Sequence, residues 1–330
     1  FKAIKGFNVK SLAADPKAAG ILNGTWASGG AMNTARTQHA GAGTLTAGIV
    51  FAGDGGGDAL TITEKYDGTS WTEVNDLNTG RTALAGSGTQ TATLAIGGAP
   101  NRAINESFNG TSWTEVGDLN TGRDYLYAIG ITTASLAFGG GPNQTETESW
   151  NGSAWTELNN LNTGRSDLSG AGTTTAGLAY GGEGGLTNTE SWNGTSWTEV
   201  NDLSGGIFGG WGSGIQTNAL LYGGKTPAPA NTGKAEVFDG TSWAETGSMS
   251  TAIYQPAGSV GGPGASALQA GGDTGTYSAV TQEFTSATIT DTIKNEGQVY
   301  YNSTAGTMNI TAVVYGTGAW AAGGNMNTSR

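Results

Sequence analysis

The chain has 330 residues, a net charge of −12 and no cysteine. The lack of cysteine excludes disulfides and thiolate metal sites, and the absence of a basic run argues against nucleic acid as a partner. Glycine contributes 59 residues and charged residues only 12% of the chain, a composition that favours many short strands with tight turns. No apolar run reaches the roughly 20 residues of a transmembrane helix, so we expect no membrane insertion.

A repeated sequence dominates the chain. Residues 106–123 return almost unchanged at 148–165, and their first part returns again from Glu190. One tryptophan marks each copy, with intervals of 42 residues in the centre and 45 or 46 at the flanks. These tryptophans are Trp26, Trp71, Trp113, Trp155, Trp197, Trp243 and, after a gap, Trp320. A fixed period of this size predicts one supersecondary unit that is used many times.

One repeat, from Arg81 to Trp113, is predicted to contain four strands, each short. The strands are expected at residues 82–89, 92–96, 104–108 and 112–116. Gly97-Gly98 follows the second strand, where glycine permits close approach of backbones. Asn109-Gly110 predicts a hairpin turn in which both residues adopt positive φ. Each unit is therefore expected to be a four-stranded antiparallel meander.

Radial repetition of such meanders is a β-propeller, which leaves only short, protected sheet edges. Six units contain the first three strands, whereas seven tryptophan strands are present. We therefore predict an all-β propeller of six blades over residues 24–284, after a lead-in at residues 1–23. Residues 24–30 would complete the sixth sheet beside residues 279–284. Seven blades stay open as the alternative, if residues 285–320 form a degenerate unit.

The C-terminal residues 285–330 depart from the repeat. Their segments 297–302 and 307–315 predict a β-hairpin extension. Residues 318–330 then copy residues 24–36 closely. The copy predicts a linker to another propeller or a strand that pairs with another subunit.

An arginine before the first strand, a double glycine after the second and a tryptophan in the fourth resemble the Kelch repeat over roughly residues 24–284. The Asn-Gly or Asp-Gly turns depart from that pattern, as does a unit shorter than the roughly 50 residues of typical kelch repeats. The amino-acid sequence of residues 109–116, 119–123 and 176–182 is similar to tandem propeller repeats in structural proteins of tailed bacteriophages, especially marine ones. Residues 297–304 are similar to linkers between such propellers.

This resemblance implies a non-enzymatic virion protein, such as a tail fibre, spike or surface appendage, on the virion surface or otherwise extracellular. It implies other virion proteins or copies of the chain as partners, and a host-surface glycan as a ligand. A secreted bacterial lectin or adhesin is the first alternative, and a polysaccharide-degrading enzyme is the second.

Residues that recur in four or more of the repeats are interpreted as scaffold. Besides the tryptophans up to Trp243, these are Arg36, Arg81, Arg123 and Arg165. We expect the arginines to pair with acidic residues such as Glu106 or Glu148 between neighbouring sheets. The Asn-Gly-Thr/Ser sequons are interpreted as turns, because Asp67 and Asp239 occupy the same position without an acceptor asparagine.

The repeats disagree on one face, which carries the connections between blades and the loops between second and third strands. The candidate ligand-binding residues there are Gln38, Asp124, Tyr125, Asp167, Phe208, Trp211 and Tyr254. Aromatic faces that stack on sugars, with amides and carboxylates that bond hydroxyls, would form a glycan site. The alternative is that the rings plug the channel mouth as core.

Signals for catalysis or a metal are few. His39 is the single histidine and stands where other units carry leucine. Asp124 and Asp167 are a candidate carboxylate pair for a glycosidase, but nothing in the sequence singles them out, so we predict no catalytic residues. Asp54 and Asp58 flank a glycine loop that suits Ca²⁺, and no other cofactor is expected.

Overall fold

A computed structural model describes residues 11–12, 24–228, 230–259, 266–286, 299–302 and 307–310. Strands, bridges and turns make up these ranges, and they contain no helix that is long and apolar enough to cross a membrane. The chain divides into two compact units, Leu22–Ala287 and a second unit formed by Phe1–Ile21 with Thr288–Arg330.

The larger unit is a ring of six four-stranded antiparallel blades. The predicted six-bladed propeller is confirmed, and the seven-bladed alternative is wrong. Blade 1 contains Ala40–Thr44, Ala47–Phe51, Thr63–Tyr66 and Trp71–Val74. Blade 2 contains Ala85–Thr89, Ala92–Ile96, Asn105–Phe108 and Trp113–Val116. Blade 3 contains Tyr127–Ile131, Ala134–Phe138, Thr147–Trp150 and Trp155–Glu157.

The remaining blades follow the same order from the inner to the outer strand. Blade 4 contains Ser169–Thr173, Ala176–Tyr180, Thr189–Trp192 and Trp197–Val200. Blade 5 contains Trp211–Ile215, Asn218–Tyr222, Ala235–Phe238 and Trp243–Glu245. Blade 6 contains Ala257–Gly258, Ser266–Asp273, Tyr277–Ser286 and, from the start of the ring, Gly24–Ser28.

The ring closes through its N-terminal strand, as predicted. Gly24–Ser28 pairs antiparallel with Tyr277–Ser286, and Trp26 lies opposite Phe284. The two ends of the ring are thus joined by a hydrogen-bonded ladder, which must break before the ring can open.

The second unit holds a separate three-stranded sheet. Val299–Asn302 and Thr307–Ile310 form an antiparallel hairpin, and Ser11–Leu12 pairs in parallel with the first of them. The predicted C-terminal hairpin is confirmed. Residues 311–330, including Trp320, lie outside the described residues.

Small residues fill the inner strands because neighbouring blades approach closely at the axis. A Cβ atom built on Gly212 would lie 2.1 Å from the Gly170 carbonyl oxygen, and one on Gly86 would lie 2.5 Å from that of Gly41. Only glycine fits at such a distance. The high glycine content is therefore a packing requirement of the ring.

The turn between the third and fourth strands differs from the prediction. In blade 2, Phe108 and Trp113 close a four-residue loop in which Gly110 (φ 96°) is the one residue with positive φ. The Asn109 carboxamide oxygen accepts hydrogen bonds from the backbone N–H of Thr111 and Ser112, each at 2.9 Å. Asparagine or aspartate is required here as a side-chain acceptor, and not for a left-handed conformation.

Four blades contain a buried ion pair. Arg123 and Glu148 lie 3.0 Å apart and Arg81 and Glu106 lie 3.4 Å apart, all fully or almost fully buried. Arg36 pairs with Glu64, and Arg165 pairs with Glu190. Each pair joins the residues just before a blade's first strand to the third strand of that blade. The expected pairing between neighbouring sheets is therefore wrong, although Glu106 and Glu148 are the partners.

Each of these glutamates also holds the connection from the preceding blade. Glu148 accepts hydrogen bonds from the backbone N–H of Asn120 at 2.8 Å and from its side-chain amide at 2.9 Å. The Nη1 group of Arg123 donates to the carbonyls of Gly139 and Glu146. The arginine, the glutamate and the connection form one unit, which we call the clasp.

The repeated tryptophans join neighbouring blades. The Trp197 indole N–H donates to the Thr147 hydroxyl of the preceding blade at 3.0 Å. Its ring packs on Trp192 of its own blade and on Phe138 of the preceding one, with centroids 5.2 and 5.1 Å apart. Trp71, Trp113 and Trp243 make the equivalent bond to a threonine.

Candidate binding site at the mouth of the central channel

Six residues, one from each blade, surround one mouth of the central channel. They are Gln38, Ala83, Tyr125, Asp167, Gly209 and Gln255. All six have a left-handed backbone conformation, with φ between 47° at Gln255 and 59° at Gly209. We call them the mouth ring. The left-handed conformation favours glycine, yet the chain places side chains at five of these six positions.

Backbone hydrogen bonds connect the mouth ring from blade to blade. From Ala83 to Gln255, each N–H donates to the carbonyl of the ring residue before it, at 2.8–2.9 Å. At the seam between blades 6 and 1, the Thr37 hydroxyl donates to the Gln255 carbonyl at 3.5 Å. Because these hydrogen bonds hold the backbone of the mouth ring in place, the strained residues persist and their side chains are free to differ.

Side chains of the mouth ring reach over its two smallest members. The Gln38 amide donates to the Tyr125 hydroxyl at 2.9 Å, so that the pair spans blade 2 and Ala83. On the other side, the Gln255 amide donates to the Asp167 carboxylate at 3.1 Å, so that this pair spans blade 5 and Gly209. The ring is thus divided into two hydrogen-bonded halves.

An aromatic and cationic cluster extends the second half onto the face. The Tyr254 hydroxyl donates to Asp167 at 2.8 Å, and its ring covers Gly209, where a Cβ atom would lie only 2.2 Å away. The rings of Phe208 and Tyr254 meet edge to face at 5.9 Å. The Lys225 ammonium lies 3.9 Å from the centre of the Tyr254 ring, within the range of a cation–π interaction.

The floor of the mouth is mostly apolar. A second layer of His39, Leu84, Leu126, Leu168, Gly210 and Pro256 lines it. Trp211 forms part of the wall. Its indole N–H donates to the Ser259 carbonyl at 3.1 Å, its ring packs on Tyr127, and it is only 7% exposed. The empty space there, counted out through the open mouth into solvent, is about 420 Å³.

The structure places the two candidate carboxylates in different surroundings. Asp167 belongs to the mouth ring, whereas Asp124 precedes the ring residue of its blade, and its carboxylate lies beside Gly141, 2.7 Å from where a Cβ atom would stand. Burial raises the pKa of both side chains. The hypothesis that they act together as glycosidase carboxylates therefore gains no geometric support.

His39 packs in the seam between blades 6 and 1. Its ring carbon Cε1 lies 2.7 Å from where a Cβ of Gly271 would stand, the same packing that Leu168 makes at Gly139. Neither ring nitrogen has a hydrogen bond of normal geometry. Burial and the nearby Arg36 charge lower its pKa well below the usual value, so the imidazole is neutral.

The acidic glycine loop of blade 1 is bound by its own neighbours. The two oxygens of Asp54 accept hydrogen bonds from the Gly56 N–H at 2.8 Å and the Tyr277 hydroxyl at 3.1 Å. Within the described ranges, no group of three acidic, histidine or cysteine side chains is arranged for a metal. The calcium site at Asp54 and Asp58 stays a prediction.

Asp167 makes the mouth sensitive to pH. Burial raises its pKa to about 6, although the hydrogen bonds from Tyr254 and Gln255 act in the opposite direction. The unfolded value is near 3.9. Because the folded pKa is the higher one, the native state favours the protonated carboxyl, and stability is lost as pH rises from about 4 through about 6.

We expect Asp167→Asn to remove this loss. The uncharged amide retains an acceptor for the Tyr254 hydroxyl. Thermal unfolding should give similar midpoints for variant and wild type near pH 4 and a higher midpoint for the variant above pH 7. Asp239→Asn, in an exposed turn, is the control and should show no such divergence. Parallel curves for Asp167→Asn would contradict an ionised, enclosed carboxylate.

Sequence reasoning missed two residues of this site, Gln255 and Lys225. Gln255 follows the predicted Tyr254 and occupies the register of Asp167 and Tyr125, so an alignment of the six inter-blade connections identifies it. Lys225 carries no such signal, because its position on the ring of Tyr254 depends on the fold of a loop unlike the other five. Compared with known proteins, the sequence matches no protein-family model and no curated protein.

Proposed function

We propose that the protein is a non-enzymatic binding disc whose channel mouth takes a polyhydroxylated ligand, such as the terminal residues of a glycan. The side chains and backbone conformation of the mouth ring are the main support for this proposal. The scaffold sequence is almost identical from blade to blade, whereas the mouth-ring positions carry different side chains. Their left-handed backbone conformation costs less free energy with glycine than with any of these residues. Side chains at these positions add conformational strain that the fold does not require, and their presence favours a binding role.

The chemistry of the mouth suits sugar hydroxyls. Gln38, Gln255 and Asp167 supply amide and carboxylate groups that bond donors and acceptors on a ring of hydroxyls. Phe208 and Tyr125 are half-buried, so each retains accessible ring surface for the C–H face of a sugar. The floor of leucines excludes water from the far side of a bound ligand.

The arrangement of carboxylates supports a binding role over a glycosidase. Asp167 is the one carboxylate among the residues that line the cavity, and glycoside hydrolysis uses two. Glu183, whose charge also acts on Asp167, is exposed and accepts a hydrogen bond from the Ser166 hydroxyl at 2.7 Å. The Glu183 carboxylate is thus held by a hydrogen bond within its own blade.

The biological setting that we propose is the virion of a tailed bacteriophage, with the disc as part of a tail fibre, spike or surface appendage. The resemblance of the repeats to Kelch-type tandem propellers of such particles supports this setting. The acidic chain with a net charge of −12 also suits a soluble, exposed component. A secreted lectin or adhesin would use the same mouth.

A glycan array tests the proposed ligand class. We expect the wild-type chain to bind a defined set of glycans, and Tyr125→Ala or Phe208→Ala to weaken binding at least roughly tenfold, as expected when a stacking ring is lost. Ile131→Ala is the matched control, because Ile131 is exposed at the other end of the channel. Trp211 is unsuitable as a probe, since its truncation would also remove buried core.

Three results would contradict the proposal. Glycan binding that survives both mouth substitutions would move the site elsewhere on the disc. Shortened glycans recovered after incubation would identify an enzyme. A silent array, with all variants folded, would favour a purely structural role.

A further inference from the structure

The polar side chains of the channel mouth direct most of their hydrogen-bond donors at one another. One N–H of the Gln38 amide bonds to the Tyr125 hydroxyl at 2.9 Å. The Gln255 amide donates to the Asp167 carboxylate at 3.1 Å and to the Tyr254 hydroxyl at 2.9 Å. Tyr254 in turn donates its own proton to Asp167 at 2.8 Å. The donors of the mouth are thus largely engaged without any ligand.

The acceptors of the mouth, by contrast, stay open. No described residue donates a hydrogen bond to the side-chain oxygen of Gln38 or of Gln255. The Asp167 side chain is only half-buried, and a carboxylate has about four lone-pair sites. The donors left over among these side chains are the Tyr125 hydroxyl and one N–H of Gln38. A ligand that suits this mouth therefore supplies more donors than acceptors.

The charge of the mouth is negative. Asp167 lines the cavity, no lysine or arginine does, and no described cation lies within ion-pair distance of its carboxylate. Two charges act on it from further away, and the repulsion by Glu183 exceeds the attraction by Lys225. Burial raises the pKa of Asp167 to about 6, as expected of an enclosed carboxylate without a partner cation. A ligand cation beside Asp167 would offset the free-energy cost of enclosing this charge.

Aromatic rings around the carboxylate also suit a cation. Tyr125 and Trp211 line the same cavity, and the face of an aromatic ring attracts a cation within about 6 Å of its centre. The neighbouring Tyr254 already holds an ammonium in this way, because the Nζ atom of Lys225 lies 3.9 Å from the centre of its ring.

We propose that the mouth binds its ligand through an ammonium group, which enters the cavity beside Asp167 and belongs to an amino sugar. This inference rests on the proposed glycan-binding function and names the class of sugar. An ammonium group has three donors and no acceptor, which matches the open acceptors of Gln38, Gln255 and Asp167. The net charge of −12 also attracts cations to the disc. Lys225, at the edge of the mouth, repels the ligand's charge and limits its affinity.

Three monosaccharides of different charge test the proposal. Glucosamine carries an ammonium group, glucose is neutral and glucuronate carries a carboxylate on the same type of ring. Calorimetric titration of the full chain near pH 6.5, above the pKa of Asp167, should give the highest affinity for glucosamine and the lowest for glucuronate. Glucosamine should bind at least roughly tenfold more tightly than glucose. Equal affinities, the reverse order or no binding of glucosamine would overturn the proposal.

The same titrations separate this proposal from the glycan-binding function itself. Glucose that binds as tightly as glucosamine would overturn the ammonium inference and leave a sugar site in place. Ethanolamine has an ammonium group but no sugar ring. If ethanolamine binds as tightly as glucosamine and glucose does not bind, the ammonium inference holds and the glycan-binding function fails.

Two substitutions with opposite expected effects locate the ammonium. Asp167→Asn keeps an acceptor for Tyr254 but removes the charge, so glucosamine affinity should fall at least roughly tenfold, to that of glucose. Lys225→Met removes the competing cation and should raise glucosamine affinity roughly two- to fivefold. Asp239→Asn, the same change of charge in an exposed turn, is the control and should have no effect. Lys225→Met lies outside the core, so it keeps the test decisive if Asp167→Asn does not fold. A loss of affinity in Lys225→Met would indicate an anionic ligand and overturn the proposal.

Discussion

Glu148→Ala is expected to destabilise the propeller by about 3–5 kcal/mol, because it leaves the Arg123 guanidinium buried without a counter-charge. The same substitution removes the acceptor for Asn120, so the connection from blade 2 loses its anchor. Urea unfolding followed by tryptophan fluorescence measures the change. A loss below about 1 kcal/mol would show that the clasp is not a buried ion pair in solution.

Blade 6 suggests a second substitution that should restore the stability lost when the ion pair is broken. In blade 6 the position of the arginine is Ile253, and the position of the glutamate is Gln282, whose side-chain oxygen accepts hydrogen bonds from Ser250 at 2.8–2.9 Å. In blade 6 both charges of the pair are therefore absent. Blade 5, with Ile207 at the arginine position, keeps the buried Glu236 and pairs it with Lys234 at 2.9 Å. Arg123→Ile with Glu148→Gln should therefore recover most of the loss, because an uncharged pair avoids the desolvation penalty. Glu245→Ala, which removes an exposed partner of Lys234, should cost less than about 1 kcal/mol.

Trp197→Ala is expected to cost about 3–5 kcal/mol, the range for truncation of a large buried ring. The ring is 5% exposed and packs on aromatic residues of two blades. Its loss also leaves the Thr147 hydroxyl without its indole donor. Chemical unfolding provides the measurement, and a change below about 1.5 kcal/mol would contradict the role of this tryptophan between blades.

Trp155 offers a matched comparison. Its ring is equally buried, but its indole N–H has no hydrogen-bond partner, because Asn105 stands where blades 1, 3, 4 and 6 place threonine. Asn105→Thr supplies the missing hydroxyl and removes two bonds of Asn105. One is its donation to the exposed Gly117 carbonyl, and the other is the bond that it accepts from the Gly97 N–H at 3.3 Å, a group that also donates to the Ile104 carbonyl. We expect a gain of about 1 kcal/mol in the free energy of unfolding. A loss would show that the Asn105 bonds matter more than the indole N–H.

Most of the fold was predictable from the repeat. Period, strand order, number of blades and closure by residues 24–30 all followed from the spacing of Trp26 to Trp243 and from the count of complete units. The pairing within the clasp was not predictable from the sequence. Arg123 and Glu148 are 25 residues apart, and sequence spacing does not tell whether they face each other within one blade or across two.

The candidate site was predictable in part. Disagreement among repeats identified Gln38, Tyr125 and Asp167 because the residues around them hardly vary. The same comparison favoured Trp211 as a ligand contact, whereas packing places most of its ring inside the channel wall. Whether an aromatic side chain points into a cavity or into a core depends on a rotation of the strand that the pattern does not report.

The sequence by itself determined the architecture, because a meander that cannot bury its apolar faces alone must stack on copies of itself, and the number of copies sets the ring. Tertiary structure alone decided the chemistry of the mouth. The left-handed backbone of the mouth ring results from hydrogen bonds between residues more than 40 positions apart, from Ala83 to Gln38 and onward to Gln255. Only the closed ring brings Asp167, Tyr254 and Gln255 within hydrogen-bonding distance. The burial that accompanies ring closure raises the pKa of the carboxyl to about 6, against the opposite effect of these hydrogen bonds.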